Sequence, residues 1–309
     1  RMHCSDRKED KIMVGKQERR YQRMITVVLA LISLIMVIPL VLLMVASFTS
    51  NNEIVLHGYS FFPKELSLEA YRYIWNERAQ VFHAYGITIL VTAIGTTIGV
   101  MMTLLYAYVL AHEKFPGKTF LAFYLFFTML FNGGLVPTYI MYTRYLHMKN
   151  TIPALIIPGL LMSAFNVILT RTYIQSNVPA ALSEAAKIDG ATEFQVFRKV
   201  VLPMCKPIIA TVGLFAGLGY WNDWTNGLYY ITDTNKFSIQ QLLNNMIKNI
   251  EFLSKNANSN INLASVGGGI PQETVRMAIA IVGLLPILIV FPFVQKYFVK
   301  GISIGAVKG

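Results

Sequence analysis

Five long runs without a charged residue punctuate the chain, at 24–48, 84–111, 119–142, 150–170 and 277–295. Each is long enough to cross a hydrocarbon layer about 30 Å thick as a helix rising 1.5 Å per residue. A sixth run, Pro207 to Asn222, is short. It spans only if Pro203 to Lys206 lies at the headgroups and Asp223 faces water or protein rather than lipid. The pattern therefore predicts an all-α transmembrane chain with six membrane-spanning helices. Within 131–157 the apolar pattern is interrupted by Gly133, Gly134 and Pro137 and then by Asn150-Thr151-Ile152-Pro153. A broken or kinked span is expected there, with its irregular backbone against protein or a wet cavity.

Between the fourth and fifth runs lies a polar island, Ala181-Leu182-Ser183-Glu184-Ala185-Ala186-Lys187-Ile188-Asp189-Gly190-Ala191, closed by Leu202-Pro203. Pro179 suits a first helical turn, where its missing N–H costs nothing, and Ala180 to Ile188 are good helix formers. Gly190 can take the left-handed conformation a tight reversal needs, and Thr192 followed by Gln195 has the form of a capping box that restarts a helix. Pro203 and Pro207 stop it again. The spacing predicts two short helices at an angle. Leu182, Ala185 and Ile188 share one face and Phe194, Phe197 and Val201 another, while Glu184 and Lys187 are left for solvent or a partner.

Read as Glu184-Ala185-Ala186, three residues, Gly190, nine residues, Val200, one residue, Leu202-Pro203, this segment resembles the EAA loop of bacterial ATP-binding-cassette importer permeases. The tail from Phe298 to Gly309 is similar to that of the maltose-type members. The block 131–157 together with Phe61-Phe62-Pro63-Lys64 resembles a subgroup associated with complex or acidic oligosaccharides. The resemblance implies a type I importer permease fold with cytoplasmic coupling helices in a loop at 178–203. It implies a cytoplasmic N-terminal tail at 1–23, a permease domain at 24–298 and a cytoplasmic C-terminal tail at 299–309. Expected partners are a second, different permease, two ATPase subunits and an extracytoplasmic solute-binding protein. The residues expected to meet the ATPase are Glu184, Ala185, Ala186, Asp189, Gly190, Ala191, Phe197, Leu202 and Pro203. Gly305, Ala306, Val307, Lys308 and Gly309 either reach between the ATPase subunits or form a frayed terminus. The implied cargo is a sugar or oligosaccharide. A permease for a non-sugar solute and a secondary transporter stay open as alternatives.

Charge fits a membrane protein. The 309 residues are 54% hydrophobic and only 14% charged, with a net charge of +11. Arg1, Arg7, Lys8, Lys11, Lys16, Arg19, Arg20 and Arg23 crowd the N-terminal tail, which assigns it, and with six spans the C-terminus as well, to the cytoplasm. The expected location is the bacterial plasma membrane. Basic residues are spread over membrane-flanking loops, so they give no warrant for nucleic acid. The two cysteines, Cys4 and Cys205, fall on the reducing side in this topology.

No phosphate-cradling Gly-x-x-x-x-Gly-Lys-Ser/Thr loop occurs, so ATP and Mg are expected in partner subunits and no cofactor in this chain. The five histidines are separated and form no metal-ligand cluster, which leaves no candidate metal or catalytic residue. The Asp and Glu residues avoid the spans, so the relay groups of a proton-coupled transporter are missing.

Ser163, Asn166, Trp221, Asn222, Asp223 and Trp224 mark a candidate substrate path, with Thr92, Thr96 and Thr97 alongside. Aromatic rings stack on sugar faces while amides and carboxylates take hydroxyls. The same residue types also pack spans together and anchor span ends. Leu68 to Trp75 reads as an amphipathic helix at the membrane surface or as a substrate contact. The polar stretch 232–272 reads as a surface for the binding protein or as a flexible loop.

Overall fold

A computed structural model describes residues 6–112, 115–257 and 272–306. Its elements are helices: α1 (Asp6–Ser47), α2 (Asn51–His57), α3 (Glu69–Asn76), α4 (Arg78–Ala111), α5 (Lys118–Leu130), α6 (Leu135–Ile140), α7 (Pro153–Ile156), α8 (Ala164–Asn177), α9 (Ala180–Ile188), α10 (Glu193–Val196), α11 (Leu202–Met204), α12 (Lys206–Trp221), α13 (Thr225–Tyr230), α14 (Ile239–Ala257) and α15 (Gln272–Ala306). Two π-helical turns, Met141–Tyr145 after α6 and Phe197–Val201 after α10, widen the spiral locally. An isolated antiparallel bridge joins Thr49 to Leu66, and no strand forms among the described residues.

Three stretches are long and apolar enough to cross a membrane: Arg20–Ser47 in α1, Arg78–Ala111 and Gln272–Pro292 in α15. Two bent pairs raise the number to five if each is one crossing: Lys118–Leu130 with Leu135–Tyr145, bent by 115°, and Glu193–Met204 with Lys206–Trp221, bent by 81°. The first of these is the interruption expected around Gly133 and Gly134. Gly134 adopts φ +82° and donates its N–H to Asn132 Oδ1 at 2.8 Å. The run at 150–170 departs from the sequence expectation, because it is not one helix. Helix α7 ends at Ile156, Pro158 removes a donor, Gly159 turns with φ +72°, and α8 begins only at Ala164.

Contacts divide the described residues into two units, those within 1–75 and 256–282, and those within 76–255 and 283–309. In the first, α1 is exposed from Met24 to Val41, as a lipid-facing helix would be, and buries Ala46 and Ser47 at its end. Its C-terminal end is fixed by Ser47 Oγ and Tyr71 OH, 2.8 Å apart, and by Phe48 stacking on Tyr71 at 4.8 Å. Helix α3 buries Ala70 and Ile74 and exposes Trp75, as its amphipathic spacing predicted.

In the second unit α4 is the hub, packed against α12 and α8. Glycines allow the approach. A Cβ at Gly95 would run into the Tyr220 ring, and one at Gly99 would lie 2.7 Å from the Leu161 carbonyl oxygen. Tyr220 is held in place by donating its hydroxyl hydrogen to Ile156 O at 2.9 Å. Below this contact a core joins Leu104, Ala107 and Leu110 of α4 to Val167 and Ile174 of α8 and to Val196, Phe197, Val201 and Cys205.

Candidate functional site

The polar island folds as its local chemistry predicts. Pro179 is the residue before α9, whose bounds are Ala180 and Ile188. Gly190 has φ +82°, a conformation that L side chains rarely adopt. Thr192 then caps α10 in a reciprocal box: its Oγ1 accepts from Gln195 N at 3.3 Å, and its own N–H donates to Gln195 Oε1 at 2.8 Å. Pro203 lies in α11 and Pro207 in the first turn of α12, on either side of the 81° bend.

Two details differ from the expected faces. Phe197 and Val201 are buried, but Phe194 is 65% exposed, because the inward positions are Val196, Phe197, Val201 and Cys205. Phe194 lies in the first turn of α10, just after the bend at Gly190, and the core beneath begins only at Val196 and Phe197. Burying Phe197 contributes about 1.5–3 kcal/mol to holding the hairpin down. Lys187, expected to be left for solvent or a partner, is engaged within the chain at the end of α4. Its ammonium contacts Glu193 Oε1. Glu193 Oε2 accepts from the Tyr108 hydroxyl at 2.9 Å, and His112 Nε2 lies 3.8 Å from the same oxygen and 3.5 Å from Lys187 Nζ. Lys187 holds the Glu193 carboxyl below its ordinary pKa, against a smaller opposing effect of desolvation. The sequence carried little sign of this cluster, since Tyr108 and His112 lie far from 187 and 193 and the histidines had looked dispersed.

On the outer side of α9, Leu182, Glu184, Ala185, Ile188, Asp189 and Gly190 are exposed, Ile188 by 86%. Ala186, Ala191 and Leu202 pack partly buried on the core beneath, and Pro203 is exposed. The result is a short helix with an apolar and acidic outer surface and a seated inner one. Gly305 and Ala306 end α15, and Val307, Lys308 and Gly309 lie outside the described residues.

The candidate path residues are distributed over two cavities on α4 and a span end. A cavity of about 370 Å³ is lined by Gly99, Thr103, Ser163, Asn166, Phe215 and Gly219 among others. A second, of about 440 Å³, collects Thr92, Thr96, Thr97 and Trp221 with apolar groups of α12 and α15, including Pro286 and Phe291. Among the described residues the buried hydroxyl oxygens of Thr92 and Thr96 have no hydrogen-bond partner, whereas Thr88 and Thr97 donate to the carbonyls four residues back. Trp221 enters the second cavity while donating its Nε1–H to Gly283 O at 3.4 Å. Asp223 lies outside both, where its Oδ1 accepts from the N–H groups of Thr225 and Asn226 at 3.1 and 3.3 Å and starts α13. Asn222 is exposed and donates to Leu218 O at 3.0 Å. Trp224 is 44% exposed, with Lys248 Nζ 6.0 Å from its ring centre.

Among the described residues, no cluster of His, Cys, Asp and Glu could hold a metal ion. Cys205 is a free, buried thiol.

Known proteins share this architecture over nearly the whole chain. The protein called "Polygalacturonan/rhamnogalacturonan transport system permease protein YtcP" of Bacillus subtilis (strain 168) is 35% identical over 293 residues, covering 95% of this chain and 100% of that protein. "Protein LplC" of the same organism is 34% identical over 275 residues, 89% of this chain and 90% of that one. Among solved structures, a chain from the crystal structure of a bacterial ABC transporter involved in the import of the acidic polysaccharide alginate is similar with a TM-score of 0.72 and 28% identity. The match covers 91% of this chain and 98% of that one. The family model for the binding-protein-dependent transport system inner membrane component matches residues 12–304, so a chain with a bent, capped hairpin between its apolar helices belongs to that family of transporter permeases.

Proposed function

We propose that this chain is one of two permease subunits of an ATP-binding-cassette importer that carries an oligosaccharide, and specifically an acidic one, across the bacterial plasma membrane. The observation that carries the reading is the end-to-end kinship with a permease named for polygalacturonan and rhamnogalacturonan transport, joined to a structural likeness to an importer of acidic alginate. Two ATPase subunits hold ATP and Mg, and an extracytoplasmic binding protein delivers the cargo. Both termini and the 178–203 loop face the cytoplasm. Six crossings follow if, beside the three long stretches, Lys118 to Tyr145 is one span, α12 another and the interrupted segment from α7 through α8 the remaining one. Helix α9, with Glu184 and Asp189 beside exposed Leu182 and Ile188, is the surface that seats in an ATPase groove.

The cavity beside Thr92, Thr96 and Trp221 offers sugar-compatible chemistry, namely two unpartnered hydroxyl oxygens next to an indole. At the end of α12, Trp224 with Lys248 pairs an open aromatic face with an ammonium, the combination that suits a pyranose bearing a carboxylate. The experiment is uptake of labelled trigalacturonate and of maltotriose into vesicles carrying the complete importer. ATP-dependent uptake of trigalacturonate in preference to maltotriose is expected. Preference for the neutral sugar overturns the acidic assignment, and uptake without ATPase subunits overturns the importer assignment.

A further inference from the structure

We propose that Glu193 is a positioning residue that fastens the docking helix α9 to the end of α4, so that nucleotide-driven motion reaches the α4 wall of the cavities. The inference rests on the reading of α9 as the ATPase-docking helix.

Helix α9 is joined to its neighbours by bendable links. Val178 before it is extended, and Gly190 after it sits at φ +82° with open space where a side chain would be. A lever with loose ends transmits displacement only if something holds it sideways. Glu193 supplies that hold in two directions. Its Oε1 takes the Lys187 ammonium, which closes the bend at Gly190 and sets the angle between α9 and α10. Its Oε2 takes the Tyr108 hydroxyl at 2.9 Å, which ties the bend to α4. A carboxylate is suited to this because it is acceptor-only and presents two oxygens to two donors at once. His112 adds a nearby ring nitrogen, and Tyr108 is itself clamped between the rings of His112, 4.7 Å away, and Phe197, 5.2 Å away.

The other end of this connection gives it consequence. The same helix that carries Tyr108 and His112 contributes Gly99 and Thr103 to one cavity and Thr92, Ala93, Thr96 and Thr97 to the other. A shift of α4 therefore changes both cavities. The covalent route from α9 reaches their opposite walls through α8 and α12, so the tie adds α4 to the walls that move with α9. The tie is exposed, with the Glu193 side chain 60% accessible, so it adds little to folding stability. Its loss is expected to affect transmission far more than stability.

The test uses the complete importer in liposomes, with Cys4→Ser and Thr97→Cys in this chain. Cys205 is buried, so a maleimide reports on the α4 position that lines the second cavity. Alkylation is timed with and without ATP and Mg. In the otherwise native chain the nucleotide changes the rate. Glu193→Gln shrinks that change by about five-fold or more, the lower end of ordinary inter-site coupling. Tyr108→Phe, which removes only the hydroxyl that donates to Glu193, shrinks it likewise. An undiminished nucleotide response in Glu193→Gln overturns the proposal. So does an undiminished response in Tyr108→Phe, or a native chain that retains its ATPase subunits yet shows no response at position 97. ATPase subunits that fail to bind even the native chain overturn the underlying docking assignment, a distinguishable failure.

Discussion

In the hairpin of α9 and α10 the residues that set the geometry are chain neighbours. Thr192 is capped with a residue three positions on, and Gly190 turns the chain by its own backbone conformation. In the cavities beside α4 the contacts that set the geometry come from far apart: Trp221 meets a carbonyl 62 residues away, and Tyr220 one 64 away. The hairpin is accordingly readable residue by residue, because capping, helix propensity and a left-handed glycine act within a single turn of chain. The cavities depend on how α4, α8, α12 and α15 pack, and small residues at their crossings say that helices approach without saying which.

Gly190→Val presses hardest on the local side of this contrast. A β-branched residue at φ +82° is strained by about 1–2 kcal/mol. No atom lies within 4 Å of the site, so the cost falls on the bend and not on packing. Membrane insertion is expected to survive while ATP-driven uptake falls about ten-fold or more. Uptake at the native rate with native ATPase activity would remove the bend from the mechanism.

Gly99→Ala tests the long-range side. Its methyl group would meet the Leu161 carbonyl oxygen, which is backbone and cannot rotate away. A loss of about 1–3 kcal/mol is expected, seen as a lowered melting temperature in detergent. An unchanged melting temperature would mean that α4 and the 157–163 segment are not in close contact.

Asp223 discriminates between the two kinds of information in one residue. If its carboxylate serves mainly to start α13, Asp223→Asn keeps uptake near native, and Asp223→Ala costs about 1 kcal/mol of stability with a partial loss of uptake. Equal, severe loss of uptake in both variants, with stability retained, would place the charge itself on the substrate path.

The smallest effect concerns pH. The Glu193 pKa is depressed by Lys187, so its stabilising contribution is full above the ordinary carboxylate value of 4.5 and is lost as pH falls through the lower folded value. The difference in melting temperature between the native chain and Glu193→Gln is therefore expected to shrink as pH falls below 4.5. A difference that grew on acidification below 4.5 would contradict the assigned direction.

Several features were legible before any coordinates. The bounds of α9, the capping box at Thr192, the left-handed Gly190 and the interruption at Gly134 all followed from residue chemistry that acts locally. The apolar runs at 24–48 and 84–111 appear within α1 and α4 for the same reason. The run at 150–170 misled, since hydropathy is blind to the break that Pro158 and Gly159 make between α7 and α8. Phe194 misled too, because helical spacing assigns a residue to a face without saying where along the helix the core begins.

By itself the sequence determined an all-α chain, where its backbone reverses, and which short segment is stiff and capped, because these depend on interactions a few residues apart. Only the tertiary structure decided that Lys187 is committed to Glu193 and not free, that Tyr108 and His112 stand beside them, and that the polar residues of the spans fall into separate cavities. Those outcomes turn on which helix packs against which, and a polar side chain has no assigned partner until that packing brings one within hydrogen-bonding distance.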